Sequence, residues 1–192
     1  MIKSIAILII LLFSFPTICF ASLPDANIVE GRFDISFGSG VIEDDSYSKE
    51  RYSWTVVTVD YGLDNNEAIG FGYFEQEYPT EVVHPFINVY EIHYNYQFVE
   101  ETDENPSFNA SFLVGAWFFD FPIPFFPIEG THLILPEAGV CLSKKLAADW
   151  LTGRLNIVFG PVAGLELGIK PHENVEIVAG FAAQWYGIKI TF

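Results

Sequence analysis

Apolar and polar residues alternate with a period of two along most of this chain. The last run is the cleanest. Tyr186, Ile188, Ile190 and Phe192 fall on one face, with Gly187, Lys189 and Thr191 on the other, the mark of a strand with one apolar side. Ile28–Phe37 repeats the pattern, with Val29, Gly31, Phe33, Ile35 and Phe37 opposed to Glu30, Arg32, Asp34 and Ser36. A polar face with both signs of charge suits the inside of a small barrel. Arg51–Leu63 and Ala68–Glu77 predict a hairpin around Asp64-Asn65-Asn66-Glu67, residues that tolerate turn dihedrals. In its second strand Ile69, Phe71 and Tyr73 share a face, and Gly70 and Gly72 leave room on the other. Trp54 and Val56 break parity with Val57, Val59 and Tyr61, which predicts a bulge near Val56.

Phe86–Val99 sets Tyr90, Ile92, Tyr94, Tyr96 and Phe98 against Glu91, His93, Asn95 and Gln97. Ser107–Asp120 alternates likewise, with Phe108, Phe112, Val114 and Phe118 on its apolar face. Asp120–Gly130 contains three prolines and reads as an apolar loop. Thr131–Leu142 is a strand carrying Glu137 despite Pro136, and Ser143–Asp149 is a turn with Lys144 and Lys145. Leu151–Ile169 keeps parity throughout but holds Gly160-Pro161 at its middle; Pro171–Asn174 is the last turn. If Leu151–Ile169 and Val175–Phe192 are single long strands, the count is eight. If each turns, at Gly160-Pro161 and near Ala183-Gln184, the count is ten. Either even number brings both termini to one end. The expectation is an all-β fold, a closed antiparallel transmembrane β-barrel of eight strands with ten as the alternative. Its last strand must pair with its first, because an open edge invites aggregation.

The first 21 residues stand apart. Lys3, the apolar run Ile5–Phe13, Pro16 and a terminal Ala21 describe a secretory signal peptide, leaving 22–192 as the barrel domain. The apolar run is shorter than the ~20 residues of a spanning helix, which disfavours an uncleaved anchor. Ile18 stands where a lipoprotein site at Cys19 would want a small residue. The remaining cysteine, Cys141, is read as a small buried or lipid-facing hydrophobe with no disulfide partner. Hydrophobic residues make up 51% of the chain and aromatics 17%, yet no later segment reaches the ~18 unbroken apolar residues of a membrane helix. A net charge of −16 argues against a nucleic-acid partner.

A signal peptide, aromatic-ended alternating strands, short turns such as LDNNE and a closing YGIKITF together resemble the small outer-membrane β-barrel proteins of Gram-negative bacteria. The OmpX- and OmpW-like porin-family barrels are nearest in size. The resemblance implies an outer-membrane location, contact with outer-membrane lipid and a monomeric state. It further implies that Tyr186, Ile188, Ile190 and Phe192, which match by position, act as the signal read by the barrel-assembly machinery.

Of four histidines, His93 faces the expected interior, two residues from Glu91 and from Asn95. A His–Glu pair suits general acid–base work if a nucleophile stands within reach. The plainer reading is an interior polar network of Glu30, Arg32, Asp34, Glu91, His93, Glu137, Arg154, Glu166 and Lys189, since buried charges must be paired. Barrel enzymes that deacylate lipid A use His-x-Ser. Here the histidines precede PF, YN, LI and EN. No His-x-x-His spacing or phosphate loop occurs, so neither metal nor cofactor is expected. Glu43-Asp44-Asp45 lacks calcium-loop spacing and reads as a solvated loop. The expected function is non-enzymatic: an integral outer-membrane barrel, structural or passing small or hydrophobic solutes. Two alternatives are a lipid-modifying barrel enzyme using His93 and Glu91, and a soluble secreted β-barrel that binds a hydrophobic ligand and turns polar faces outward.

Overall fold

The computed structural model describes residues 24–44, 50–77, 86–102, 107–120, 132–146, 150–159, 163–180 and 185–192. Residues 1–23, which include the expected signal peptide, the 121–131 segment and His84 lie outside them. Ten strands follow in order: β1 (Phe33–Asp44), β2 (Glu50–Gly62), β3 (Glu67–Glu77), β4 (Phe86–Val99), β5 (Asn109–Asp120), β6 (His132–Lys145), β7 (Leu151–Phe159), β8 (Ala163–His172), β9 (Val175–Gly180) and β10 (Trp185–Thr191). Each pairs antiparallel with its sequence neighbours, and β1 pairs with β10, so the sheet closes on itself.

The count is ten, the alternative to eight that the two possible turns allowed. Ile157 pairs with Ala163 and Leu151 with Ile169, so the chain reverses between β7 and β8. Likewise Trp185 pairs with Gly180 and Ile190 with Val175. Across β7 and β8 unbroken parity could not distinguish one strand from a hairpin, but Pro161, which has no N–H for a ladder, falls between them in sequence.

Three local expectations are also corrected. The first strand begins at Phe33 rather than Ile28, because Gly31 takes φ +73° and ends the lead in a turn. Gly31 donates to the Gly62 carbonyl at 2.9 Å, and Val29 and Glu30 stay exposed. No bulge occurs at Val56, since the β1–β2 register is continuous from Phe33↔Tyr61 to Asp44↔Glu50. Trp54 and Val56 simply face inward. Irregularities fall instead between Gln97 and Val99, and between Ile169 and His172. Finally, β6 runs on to Lys145. Pro136 is tolerated within it because pairing with β7 starts only at Ala138, leaving one laddered side at that level.

The two faces of the wall differ sharply. Every strand turns at least one large, exposed apolar side chain outward, among them Phe37, Tyr61, Phe71, Ile92, Phe112, Ile134, Ile157, Leu165, Ile177 and Ile188. Inward positions are buried and largely polar. They include Asp34, Thr58, Glu91, His93, Asn95, Glu137, Arg154, Glu166, Glu176 and Lys189. Trp54, Val56, Phe74, Val89, Trp117 and Phe119 also face in, with Trp54 packed on Phe74 and Trp117 on Phe119 at centroid distances of 5.7 and 5.9 Å. The interior is therefore filled by side chains, apolar on one side and ionic elsewhere.

Candidate functional site

The ionic part of the lumen is organised around Arg154 on β7, 1% exposed. Its Nη1 donates to Glu166 Oε1 at 2.7 Å and its Nη2 to Glu176 Oε2 at 2.6 Å. Register explains the first bond, since Arg154 and Glu166 are cross-strand partners. Glu176 is in turn opposite Lys189, and Lys189 Nζ lies 3.5 Å from Asp34 Oδ2. Asp34 also takes Arg32 Nε at 3.0 Å and the Thr191 hydroxyl at 2.6 Å. The ion pairs thus run round the barrel from β7 to β1, across the closing seam.

The lead, residues 24–32, completes this network from inside. It crosses the end of the lumen where β1 begins and β10 ends and sets Asp25 beside the cations. Asp25 Oδ2 is 3.4 Å from Arg154 Nη2 and 3.7 Å from Arg32 Nη2. Burial alone would raise its carboxyl pKa, but Arg154, Lys189 and Arg32 outweigh burial and hold it well below the usual carboxylate range. Three more bonds fasten the strap: Asn95 Nδ2 to the Asp25 carbonyl at 3.2 Å, the Ile28 N–H to Gln97 Oε1 at 2.8 Å, and Arg32 Nη2 to the Asn27 carbonyl at 2.7 Å. Ala26 is wholly buried with Leu113 and Cys141, which places the free cysteine in the interior. Between strap and wall a cavity of about 20 Å³ remains, bordered by Asp25, Arg32, Asp34 and Asp60. It has room for about one water molecule.

A second cluster surrounds His93 on β4. Its Nδ1 is 2.7 Å from Glu91 Oε1 and its Nε2 is 2.9 Å from Asp60 Oδ1. A side chain on Gly70, the cross-strand partner of His93, would collide with both the imidazole and Asp60. Glycine there is the space the ring occupies. Glu137 is buried nearby on β6, across Gly115, and its Oε2 has no hydrogen-bond partner among the described residues. With both ring nitrogens held by carboxylates, His93 has no nitrogen free to accept a proton from a nucleophile. The arrangement is an ion cluster in which the imidazole bridges two carboxylates.

Of the residues expected in the polar network, Arg32, Asp34, Arg154, Glu166 and Lys189 meet in one cluster, and Glu91, His93 and Glu137 in the other. Glu30 joins neither; the Gly31 turn leaves it exposed. Asp25, Asp60 and Glu176 were not foreseen. Asp60 and Glu176 stand at inward parity beside Thr58 and Val178, a signal the pattern carried, whereas nothing periodic marks Asp25. Tyr186, Ile188 and Ile190 lie on the outer side of β10. Phe192 exchanges main-chain hydrogen bonds with Phe33 at 2.8 and 3.1 Å, and their rings lie 6.4 Å apart. His172 is exposed at the β8–β9 turn.

Among the described residues no group of three or more His, Cys, Asp and Glu is arranged to hold a metal ion. No protein-family model matches the chain, and no curated protein matches it. Among solved structures the chain is similar to Ail, the attachment invasion locus protein of Yersinia pestis. The match is at 16% identity and a TM-score of 0.31, over 85% of this chain and all of that one. A likeness that loose transfers neither topology nor role.

Proposed function

We propose that this chain is an integral outer-membrane β-barrel, non-enzymatic and structural, its lumen occupied rather than open. One observation carries the reading: exposed, large apolar side chains project from all ten strands while ionic residues fill the inside. A soluble domain seldom exposes an apolar patch beyond a few hundred Å². A band encircling a closed barrel matches a lipid-facing surface. It is the reverse of the polar exterior required of a soluble ligand-binding barrel. The strap and the Arg154 network occupy the space a pore would need, which favours a structural role over solute passage. The doubly engaged His93 speaks against a lipid-modifying enzyme. In this reading the leader directs export, Tyr186–Phe192 presents the strand engaged by the barrel-assembly machinery, and the barrel lies in outer-membrane lipid as a monomer. Cell fractionation tests it: the protein is expected in the outer-membrane fraction, soluble only with detergent and migrating faster on a denaturing gel before boiling than after. Recovery in solution without detergent refutes the membrane reading.

A further inference from the structure

We infer an oxyanion-binding site at the rim of the strap end, one that would take a phosphate group. This inference rests on the membrane reading above. A pocket of about 680 Å³ opens there between the strap and the β6–β7 and β8–β9 turns. Lys145, Trp150, Lys170 and His172 line it, with Asn27 from the strap and a carboxylate, Glu173.

The fold builds this convergence. The Lys170 N–H donates to the Trp150 carbonyl at 2.8 Å, tying the end of β8 to the β6–β7 turn, and the Leu146 N–H to the Leu151 carbonyl closes that turn at 2.9 Å. Lys145 ends β6 opposite Thr152 and so has inward parity, and Lys170 lines the same pocket beside Trp150. Two lysines therefore line one pocket at the mouth. Glu101 approaches from the β4–β5 side, where its Oε2 accepts the Lys145 main-chain N–H at 3.2 Å. Lys170 makes no ion pair among the described residues. Trp150, half exposed, offers a flat face beside it.

The setting makes such a cluster informative. The chain has nine basic residues against 25 acidic ones. Arg32, Arg154 and Lys189 are consumed inside the lumen. The β2–β3 turn at the same end carries Asp64 and Glu67, and the β4–β5 connection carries Glu100 and Glu101. Lys145 and Lys170 stand on the pocket side of this rim, together with Glu173. Lysine ammonium groups with a histidine are a usual set of point donors for phosphate. An indole at a membrane boundary can cover the attached apolar or flat group. A phospholipid headgroup and a free phosphate share this chemistry.

The test uses the full mature chain folded into phosphatidylcholine vesicles and reads the tryptophan emission that Trp150→Phe removes. One arm adds inorganic phosphate, and the other replaces part of the lipid with phosphatidylglycerol. A saturable change is expected in one arm. It should weaken at least fivefold in Lys170→Gln and strengthen in Glu173→Gln; both changes are at the rim, so gel mobility before boiling should stay that of the folded barrel. A response to phosphate identifies a free anion as the source, and a response only to phosphatidylglycerol identifies the headgroup. Folded protein that responds to neither, or responds equally in Lys170→Gln, overturns the site alone. Protein that never enters the vesicles overturns the site and the membrane reading together.

Discussion

Arg154 is where a single residue decides most. Its guanidinium serves Asp25, Glu166 and Glu176 at once, so Arg154→Met leaves three buried carboxylates facing one another. Breaking a buried pair from one side costs about 3–5 kcal/mol. Denaturant unfolding of the refolded barrel should show a loss of that order, whereas a fall below 1 kcal/mol would mean that water already screens the lumen. Asp25 carries the second residue-scale prediction. Its folded pKa lies below the unfolded one, so its contribution is full above the ordinary carboxylate range. That contribution is lost as pH falls through the folded value, that is, only below about pH 4. Asp25→Asn removes the charge at every pH, at a cost of about 2 kcal/mol for a charged hydrogen bond. The readout is the Ile28 amide, bonded to Gln97. Its hydrogen exchange should accelerate at neutral pH in Asp25→Asn and stay slow in the parent protein.

At the scale of the element, the closing seam is the most exposed to failure. β1 and β10 pair from Asp34↔Thr191 to Gly40↔Trp185, and Phe192 extends the seam by two main-chain bonds to Phe33. Phe192→Ala keeps those bonds and loses only the ring contact. Unfolding free energy should then drop by about 1 kcal/mol, the scale of an aromatic pair. If the terminal aromatic is an assembly signal, the amount of barrel reaching the outer membrane should fall far more than that drop explains. Quantitative blotting of outer-membrane fractions, set beside in-vitro refolding of the same variant, separates the two effects. The hairpins were legible to different degrees. Asp64–Glu67 marked its own turn, and its Asp64 carboxylate does accept the Asn66 and Glu67 N–H groups at 2.7 and 2.8 Å. The β7–β8 reversal was masked by side-chain parity that runs through it unchanged, with Gly160-Pro161 as the one hint.

For the whole molecule, the contrast between outer and inner faces makes a quantitative distinction. Ile92, near the middle of β4, is 46% exposed. In a lipid-facing wall Ile92→Arg should cost about 2–4 kcal/mol, because the charge enters hydrocarbon. On a water-facing surface the same change should stay within about 0.5 kcal/mol. Equilibrium unfolding from phosphatidylcholine vesicles reads the difference directly. The alternation of side chains was enough to establish strands, their inward and outward faces and an even-numbered closed sheet, because a strand's two faces follow from backbone geometry alone. It assigned Arg32, Asp34, Glu91, His93, Glu137, Arg154, Glu166 and Lys189 to an interior by parity, and with them Glu30, which the Gly31 turn leaves exposed. What it could not contain was partnership. Whether Arg154 meets Glu176, or His93 meets Asp60, depends on register between strands, which is set by closure of the whole ring. Asp25 and its strap lay further still from local pattern, since residues 24–27 have no periodicity, the alternation over 28–32 continues into no strand before Phe33, and the segment gains its place only from a lumen that the rest of the chain must first build. Alternation along the chain specifies two-faced strands; that there are ten, and that the lead packs inside them, follows only from contacts between residues far apart in sequence.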